Sequence, residues 1–317
     1  MLLLWLVVTV VFVLARSAPG DPVLMLVSPT ASASEIASAR TRLGLDAPLA
    51  VQYARWTRGV LHGDFGTSIA NGRSVRATLG DALPVSLYLG GVSLLLSFVI
   101  GIAIGAYQAS RAGTKADVGT TIATTAVASA PAFWLALGAI ALFTYGAARA
   151  GFPALLRLPA FGLHTPAGAP SGIGWLIDIA RHSVLPIAVL TAIGASGIAR
   201  YARAALLDVV GLDAIRAARG RGLARTRLAA HVLRIALPGL MVLFALALPG
   251  TIAGSVFVES VFAWPGMGRA MTTAILARDI PVVLGATVLY GAAVIAANAI
   301  ADLALPLVDP RLRNEDH

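Results

Sequence analysis

Four long stretches of this chain are free of charge: residues 82–110, 118–148, 235–258 and 280–301, of 29, 31, 24 and 22 residues, contain no Asp, Glu, Lys or Arg. Crossing the hydrocarbon of a bilayer as a helix takes about 20 mostly apolar residues, and a helix satisfies its own backbone there. A fifth stretch, residues 182–199, holds 18 such residues and suffices if its helix runs from Pro186 into the Tyr201 region. The amino terminus, MLLLWLVVTVVFVLAR, is a sixth, with fifteen residues before Arg16 and enough length only if the helix continues through Ser17 and Ala18. It lacks the basic start of a secretory signal, and ARSAPGDP offers only a weak small-residue cleavage site. A retained helix is therefore expected, with a few upstream residues lost to the choice of start codon.

These runs predict an all-α membrane protein, a single domain with about six transmembrane helices over 1–18, 82–108, 119–148, 183–206, 236–261 and 282–306. Residues 19–81 are an extracytoplasmic insertion after the first helix, and residues 207–235 are a cytoplasmic loop between the fourth and fifth. Charged residues make up only 12% of the chain, against about a quarter in a soluble domain. The net charge of +9 does not indicate nucleic acid, because uncharged runs separate the basic clusters instead of spreading them over one wettable face. With no cysteine, disulfides, thiolate metal sites and a cysteine nucleophile are excluded.

Arginine and lysine in short loops set orientation. With the amino terminus cytoplasmic, the inner segments 109–118, 200–235 and 309–317 carry two, eight and two basic residues, twelve together; the outer segments 149–181 and 263–279 carry three and two, five together. Both termini are therefore expected in the cytoplasm. Pro131, Pro186, Pro238, Pro249 and Pro306 lie in or at the ends of the spans. Kinked helices of this kind suit a bundle that lines a path, where neighbours or water satisfy the freed carbonyls.

Six of the 24 basic residues fall in RAARGRGLARTRLAAHVLR, residues 216–234, with no acidic residue among them. A helix from Leu206 to Ala218, a break at Gly220 and Gly222, and a second helix from about Ala224 that ends before Pro238 are expected. Leu228, Val232 and Ile235 then form an apolar stripe beside a basic rim. From the residues alone, such a hairpin either lies on anionic lipid or docks a partner protein, with even weight on the two.

The pattern Ala217-Ala218, Gly222, then IALP ending at Pro238 resembles the cytoplasmic coupling motif of ABC-importer permeases, in which Glu-Ala-Ala opens the loop that inserts into the ATPase subunit. Arg216 stands where that motif has glutamate, and the stretch from Gly222 to Pro238 is slightly short. The resemblance continues through PGDPV (19–23), LGLDAPLAVQYARWTRGVLHGDFGTSI (43–69), PAFWLAL (131–137), VESVFAWPGMGR (258–269), ARDIPVV (277–283) and DPRLR (309–313). In that order these phrases resemble the dipeptide/oligopeptide/nickel branch of the family.

The resemblance implies a permease subunit of a bacterial cytoplasmic-membrane importer that forms half of a path for peptides or a related small solute such as a nickel chelate. It also implies a second homologous permease, two cytoplasmic ATPases and an extracytoplasmic solute-binding protein. ATP is used by the partner subunits, and this chain carries no cofactor of its own. It has no G-x-x-x-x-G-K-[ST] loop, and its one lysine, Lys115, follows Arg-Ala-Gly-Thr. Arg216, Ala217, Ala218, Gly220, Gly222, Leu223, Leu228 and Pro238 are assigned to ATPase coupling, with the glycines making the turn and Leu223 and Leu228 serving as apolar anchors. Glu259, Trp264, Pro265, Gly266 and Gly268 are assigned to an outer gate or binding-protein loop. No catalytic or metal-ligating residue is assigned: His62, His164, His182 and His231 lack ligand spacing, and the spans lack paired carboxylates, H-E-x-x-H and G-x-S-x-G. The rival reading is a self-sufficient secondary transporter, which calls for midplane carboxylates and repeated halves, and neither is evident.

Overall fold

Because a peptide group left unpaired in lipid costs several kcal/mol, the uncharged runs have little choice but to wind into helices. In the computed structural model, which describes residues 2–17, 23, 30–42, 44–153, 157–165, 172–253 and 255–308, nearly all of them do. The helices are α1 (Leu2–Ser17), α2 (Ala33–Arg42), α3 (Leu49–Leu61), α4 (Val75–Ser110), α5 (Lys115–Ser129), α6 (Ala132–Arg149), α7 (Ile173–Val210), α8 (Asp213–Gly220), α9 (Arg225–Ala253), α10 (Val256–Val261), α11 (Met267–Leu276) and α12 (Ile280–Val308). Among the described residues extended pairing is limited to one isolated bridge, Thr67 with Ser74. The phrase DPRLR, residues 19–22 of PGDPV and the carboxy-terminal segment 309–317 lie outside the described residues.

Among the described residues five helices are long and apolar enough to cross a membrane: α4, α6, α7, α9 and α12. At 16 residues α1 is shorter, reaching about 24 Å at 1.5 Å per residue. Its outward side chains are nonetheless apolar: Leu2, Leu3, Trp5 and Leu6 are all at least half exposed. Several features differ from expectation, among them the start of α7 at Ile173 rather than near residue 183. The run 119–148 is not one helix, because Pro131 lacks an N–H and restricts Ala130 to an extended backbone, so α5 ends at Ser129 and α6 starts at Ala132. Within α6, residues Ala141–Gly146 form a wider π-type turn. The helix expected to end before Pro238 instead continues as α9 through Pro238 to Ala253. A proline removes one intrahelical bond, whereas ending the helix in lipid would strand several, so a helix that carries the proline is the cheaper solution.

The chain divides into two compact units, Met1–Ser86 with Pro265–Ala293 and Leu87–Trp264 with Val294–His317. In the first, Val75, Leu79 and Ala82 of α4 are buried against Met267 and Ala274 of α11 and Val282 and Ala286 of α12. A Cβ on Gly285 would lie 2.7 Å from Val75 Cγ1, so glycine is what lets α12 approach α4. Phe12 of α1 packs on Ile280 and Leu284, with its ring edge-on to Tyr53 at 5.1 Å.

Asp279, almost fully buried, fastens the segment ahead of α4 in this unit. Its carboxylate accepts from the Ser68 hydroxyl, the Ile69 N–H (3.1 Å) and the Ala70 N–H (3.3 Å). The phrases GDFGTSI and ARDIPVV thus meet at one carboxylate. Asp279→Ala is expected to lower stability by about 2–4 kcal/mol, because it leaves the Ile69 and Ala70 N–H groups without their acceptor. The thermal midpoint of the purified chain measures this, and Asp279→Asn, which keeps an acceptor oxygen, should lose less.

In the second unit two clusters form. Leu206 and Val209 of α7, Ile215 of α8 and Val232, Ala236 and Leu240 of α9 make one. Ala136 and Ile140 of α6, Leu185 and Val189 of α7 and Val258 and Phe262 of α10 make the other, bringing PAFWLAL against VESVF. Gly101 and Gly105 of α4 form a G-x-x-x-G pair facing α7. A Cβ on Gly101 would lie 2.8 Å from Ile198 Cβ, and one on Gly105 would lie 2.7 Å from the Ala199 carbonyl oxygen.

Candidate functional site: an arginine hairpin between α7 and α9

The chain leaves α7 at Val210, and Leu212, with ψ 144°, redirects it into the two-turn helix α8. This break at Gly211 and Leu212 replaces the continuous Leu206–Ala218 helix expected from sequence. Only Ile215 and Ala218 of α8 are buried, and Ile215 ties it to the cluster of α7 and α9. Arg216, Ala217, Arg219, Gly220, Arg221, Gly222 and Leu223 are exposed. Arg216 pairs with Asp213 one turn earlier, with the two side chains 69% and 93% exposed, so the pair contributes little to stability and leaves the guanidinium at the surface.

The end of α8 has a specific turn chemistry. The Gly222 N–H donates to the Arg219 carbonyl (3.0 Å) and the Leu223 N–H to the Ala218 carbonyl (3.4 Å). With Gly222 at φ 78°, this is the paired-bond cap of a Schellman motif, in which the residue past the helix end takes a left-handed conformation. Of the two glycines assigned to the turn, Gly222 fits the role; Gly220 lies inside α8 with no positive φ. Leu228 is partly buried against the chain's own α7–α9 cluster, whereas Leu223 remains 40% exposed. Pro238 lies inside α9 and does not close the loop.

An ion pair that the sequence analysis did not single out joins α5 to α7 in the same unit. Arg203 of α7 grips Asp117 of α5 with two bonds, Nε to Oδ1 at 2.9 Å and Nη2 to Oδ2 at 2.7 Å, and the Gly113 N–H adds a third at 3.0 Å. The Arg203 guanidinium first, and the Gly113 N–H after it, push the Asp117 carboxyl down to about 2. A carboxyl depressed in the folded state stabilises it above the unfolded value of about 4, and that contribution is lost as pH falls from about 4 to about 2. The thermal midpoint of the purified chain should drop through that window, and Asp117→Asn should flatten that part of the curve.

The residues assigned to an outer loop fall in both units. In the second, Glu259 is fully buried, accepts from the Ser255 hydroxyl at 2.5 Å and uses its backbone carbonyl to receive the Trp264 N–H at 2.8 Å. Ala263 between them holds a left-handed φ of 51°, which makes this another paired-bond helix end, and Trp264 is fully buried. In the first unit Pro265 is exposed, while Gly266 precedes α11 with extended backbone and Gly268 is buried in its first turn. The buried Met267 N–H there donates to Ser86 Oγ at 2.8 Å.

Comparison with known proteins places the chain in a family. Residues 99–314 match the family described as the binding-protein-dependent transport system inner membrane component, and residues 1–90 match that family's amino-terminal component. The oligopeptide transport system permease protein AppB of Bacillus subtilis is 35% identical over 303 residues, 95% of this chain and 92% of that protein. The oligopeptide transport system permease protein OppB of Mycobacterium tuberculosis is 38% identical over 293 residues, 92% of this chain and 88% of its own length. In fold, the chain is similar to the inward-facing MetNI methionine ABC transporter with a TM-score of 0.53 at 21% identity, covering 73% of this chain and 95% of that one. With a family model matched over more than half of the chain and relatives above 30% identity along nearly its whole length, the protein belongs to the family of inner membrane components of binding-protein-dependent transport systems.

Proposed function

We propose that this chain is the permease subunit of an ATP-driven importer and forms half of the translocation path for di- or oligopeptides. It works with a second permease, two cytoplasmic ATPases and an extracytoplasmic solute-binding protein. The peptide assignment rests on the oligopeptide permeases to which it is 35% and 38% identical. The single observation that carries the coupling role is the exposed α8 turn. Arg216, Arg219 and Arg221 are held at the surface on a short helix whose buried side is locked to α7 and α9. A rigid stub with a basic rim suits a groove lined by carboxylates, where the charges set orientation and association rate more than affinity. Within it Arg216, Ala217, Ala218, Gly220 and Gly222 form the plug, and Leu223 is its apolar contact.

α1 serves as a sixth span, completed by residues beyond Ser17, so that both termini lie in the cytoplasm and residues 19–81 lie outside. Glu259 and Trp264 stiffen the turn after α10, and Pro265, Gly266 and Gly268 set the start of α11. This segment faces the solute-binding protein.

The test uses the absence of native cysteine, which makes every introduced thiol unique. Arg221→Cys in whole cells should react with a membrane-impermeant maleimide only after the inner membrane is opened; labelling from outside would reverse the assigned topology. Reconstituted with its partner subunits, the chain should take up peptide only with ATP. Uptake by the chain alone on a proton gradient would overturn the importer reading.

A further inference from the structure

Helix α5 ends at Ser129 and α6 begins at Ala132, inside the uncharged run 118–148. The Asp117–Arg203 pair marks one edge of that run, and at 1.5 Å per residue Ala130 stands about 20 Å beyond Asp117. The neighbouring α7 gives the same depth. Its Arg203 holds Asp117, its Ala195 and Ser196 line a groove of about 410 Å³ with Ala123, Thr124 and Val127 of α5, and its Leu185 and Val189 pack on α6. The break thus lies within the hydrocarbon layer, which is about 30 Å thick.

Its backbone is left open there. Pro131 has no N–H, the Ala130 N–H donates to the Val127 carbonyl at 3.2 Å, and the Pro131 carbonyl receives the Trp134 and Leu135 N–H groups at 3.0 and 3.2 Å. Among the described residues the carbonyls of Ala128, Ser129 and Ala130 and the N–H groups of Ala132 and Phe133 have no partner. Ala128, Ser129, Pro131 and Phe133 are exposed. Thr191 of α7, on the wall of the groove that Val127 lines, is 5% exposed, and its hydroxyl has no partner among the described residues either.

Lipid offers such groups nothing to bond, and irregular backbone at membrane depth is stable only against protein or a water-filled cavity. A transmembrane helix of a neighbouring subunit fits poorly, because its own N–H and C=O groups are already paired along its axis. An extended peptide presents both kinds in alternation. The end of α5, with free carbonyls at the negative end of its dipole, suits an N–H or ammonium group; the start of α6, with free N–H groups at the positive end, suits a carbonyl or carboxylate oxygen. Trp134, 62% exposed beside them, adds an apolar surface that is indifferent to side-chain identity.

We propose that the α5–α6 break lines the translocation path and binds the main chain of the peptide in transit, its N–H groups donating to the carbonyls of Ala128, Ser129 and Ala130 and its carbonyl or carboxylate oxygens accepting from Ala132 and Phe133. The inference rests on the peptide cargo proposed above and is independent of the coupling hairpin. Contact through main-chain groups lets peptides of differing sequence use one site.

The chain has no cysteine of its own, so a single thiol reports on the break. In the reconstituted transporter, Ser129→Cys should react with a charged thiosulfonate within about tenfold of the rate at the exposed Lys115→Cys, because only a wetted thiol ionises. Independently of any variant, a transported peptide carrying a photoactivatable group, illuminated during ATP-driven uptake, should cross-link to residues 128–134 of the unaltered chain. A thiol at 129 that stays inert to the charged reagent would place the break against lipid or the second permease and overturn the proposal. Peptide cross-links confined to other segments would overturn it as well. Failure of the unaltered complex to take up peptide would instead overturn the cargo reading, and with it the occupant named here, whereas Ser129→Cys reports water access in either case.

Discussion

Replacing Gly222 with aspartate is expected to abolish transport while leaving the chain in the membrane at normal abundance. Gly222 closes α8 in a left-handed conformation, φ 78°, and nothing lies within 4 Å of where its Cβ would be, so a side chain fits sterically and the penalty is conformational and electrostatic. Left-handed backbone costs an ordinary residue roughly 1–2 kcal/mol, less for Asp and Asn. The carboxylate has the larger effect. Set among Arg219, Arg221 and Arg225, it draws those groups inward and repels the acidic groove proposed for the partner. Together these effects amount to roughly 3 kcal/mol of docking, or about a hundredfold in the docked population. Gly222→Asn takes the same backbone without the charge and should keep most of the uptake; Gly222→Ala should lose about fivefold through strain alone. Peptide uptake in cells, normalised to immunoblotted membrane protein, measures all three. Normal uptake by the aspartate variant would remove the hairpin from the coupling mechanism.

Gly105→Leu should damage the fold itself. The neighbours of a Cβ at that position are the Ala199 carbonyl oxygen and Ala202 Cβ, both at 2.7 Å, and the Arg203 amide nitrogen at 2.9 Å, and two of these three atoms are backbone. No rotamer change relieves such a clash, so α4 and α7 have to separate, and in lipid no hydrophobic force draws them back. Overpacking costs typically 1–3 kcal/mol, and a branched side chain against backbone belongs at the upper end. Separation also pulls Arg203 away from Asp117, the two partners of the α5–α7 clamp. The variant should show a lower thermal midpoint, reduced recovery of the assembled complex, and uptake at background. Gly80→Leu, with open space around the site, is the matched control and should fold normally. If Gly105→Leu assembled like that control, the close approach of the two helices would not be structurally required.

Helices were legible from sequence wherever the signal was a long absence of charge, as in α4 and α12. What sequence could not show was where proline ends a helix and where it is absorbed. Pro131 parts α5 from α6, while Pro238 sits inside α9, so the residue type alone does not decide between the two outcomes. The hairpin was visible as a run of arginines, and Gly222 as its turn, because both are local. The separation of Leu223, exposed, from Leu228, packed inward, was not visible, since it depends on Leu206 and Val209 of α7 and Ile215 of α8, which come from other elements. The clamp between Asp117 and Arg203 spans 86 positions and the Asp279 anchor about 210, so no local pattern could mark either. Gly101 and Gly105 carried a readable signal, the four-residue spacing of small residues in an apolar run, which only gained meaning once α7 was known to lie against them.

The continuity of α9 has a mechanical consequence. Its 29 residues make one rod of about 43 Å at 1.5 Å per residue, with the arginine stub attached at one end and the bilayer around most of its length. A tilt imposed at the stub end is therefore carried toward the far end along one helix, with Pro238 and Pro249 as the places where it can bend. Adding or deleting one residue between Arg225 and Pro238 would swivel the stub by about 100° relative to the membrane portion, leaving both halves intact but misaligned, as with a key cut correctly and turned in the wrong plane.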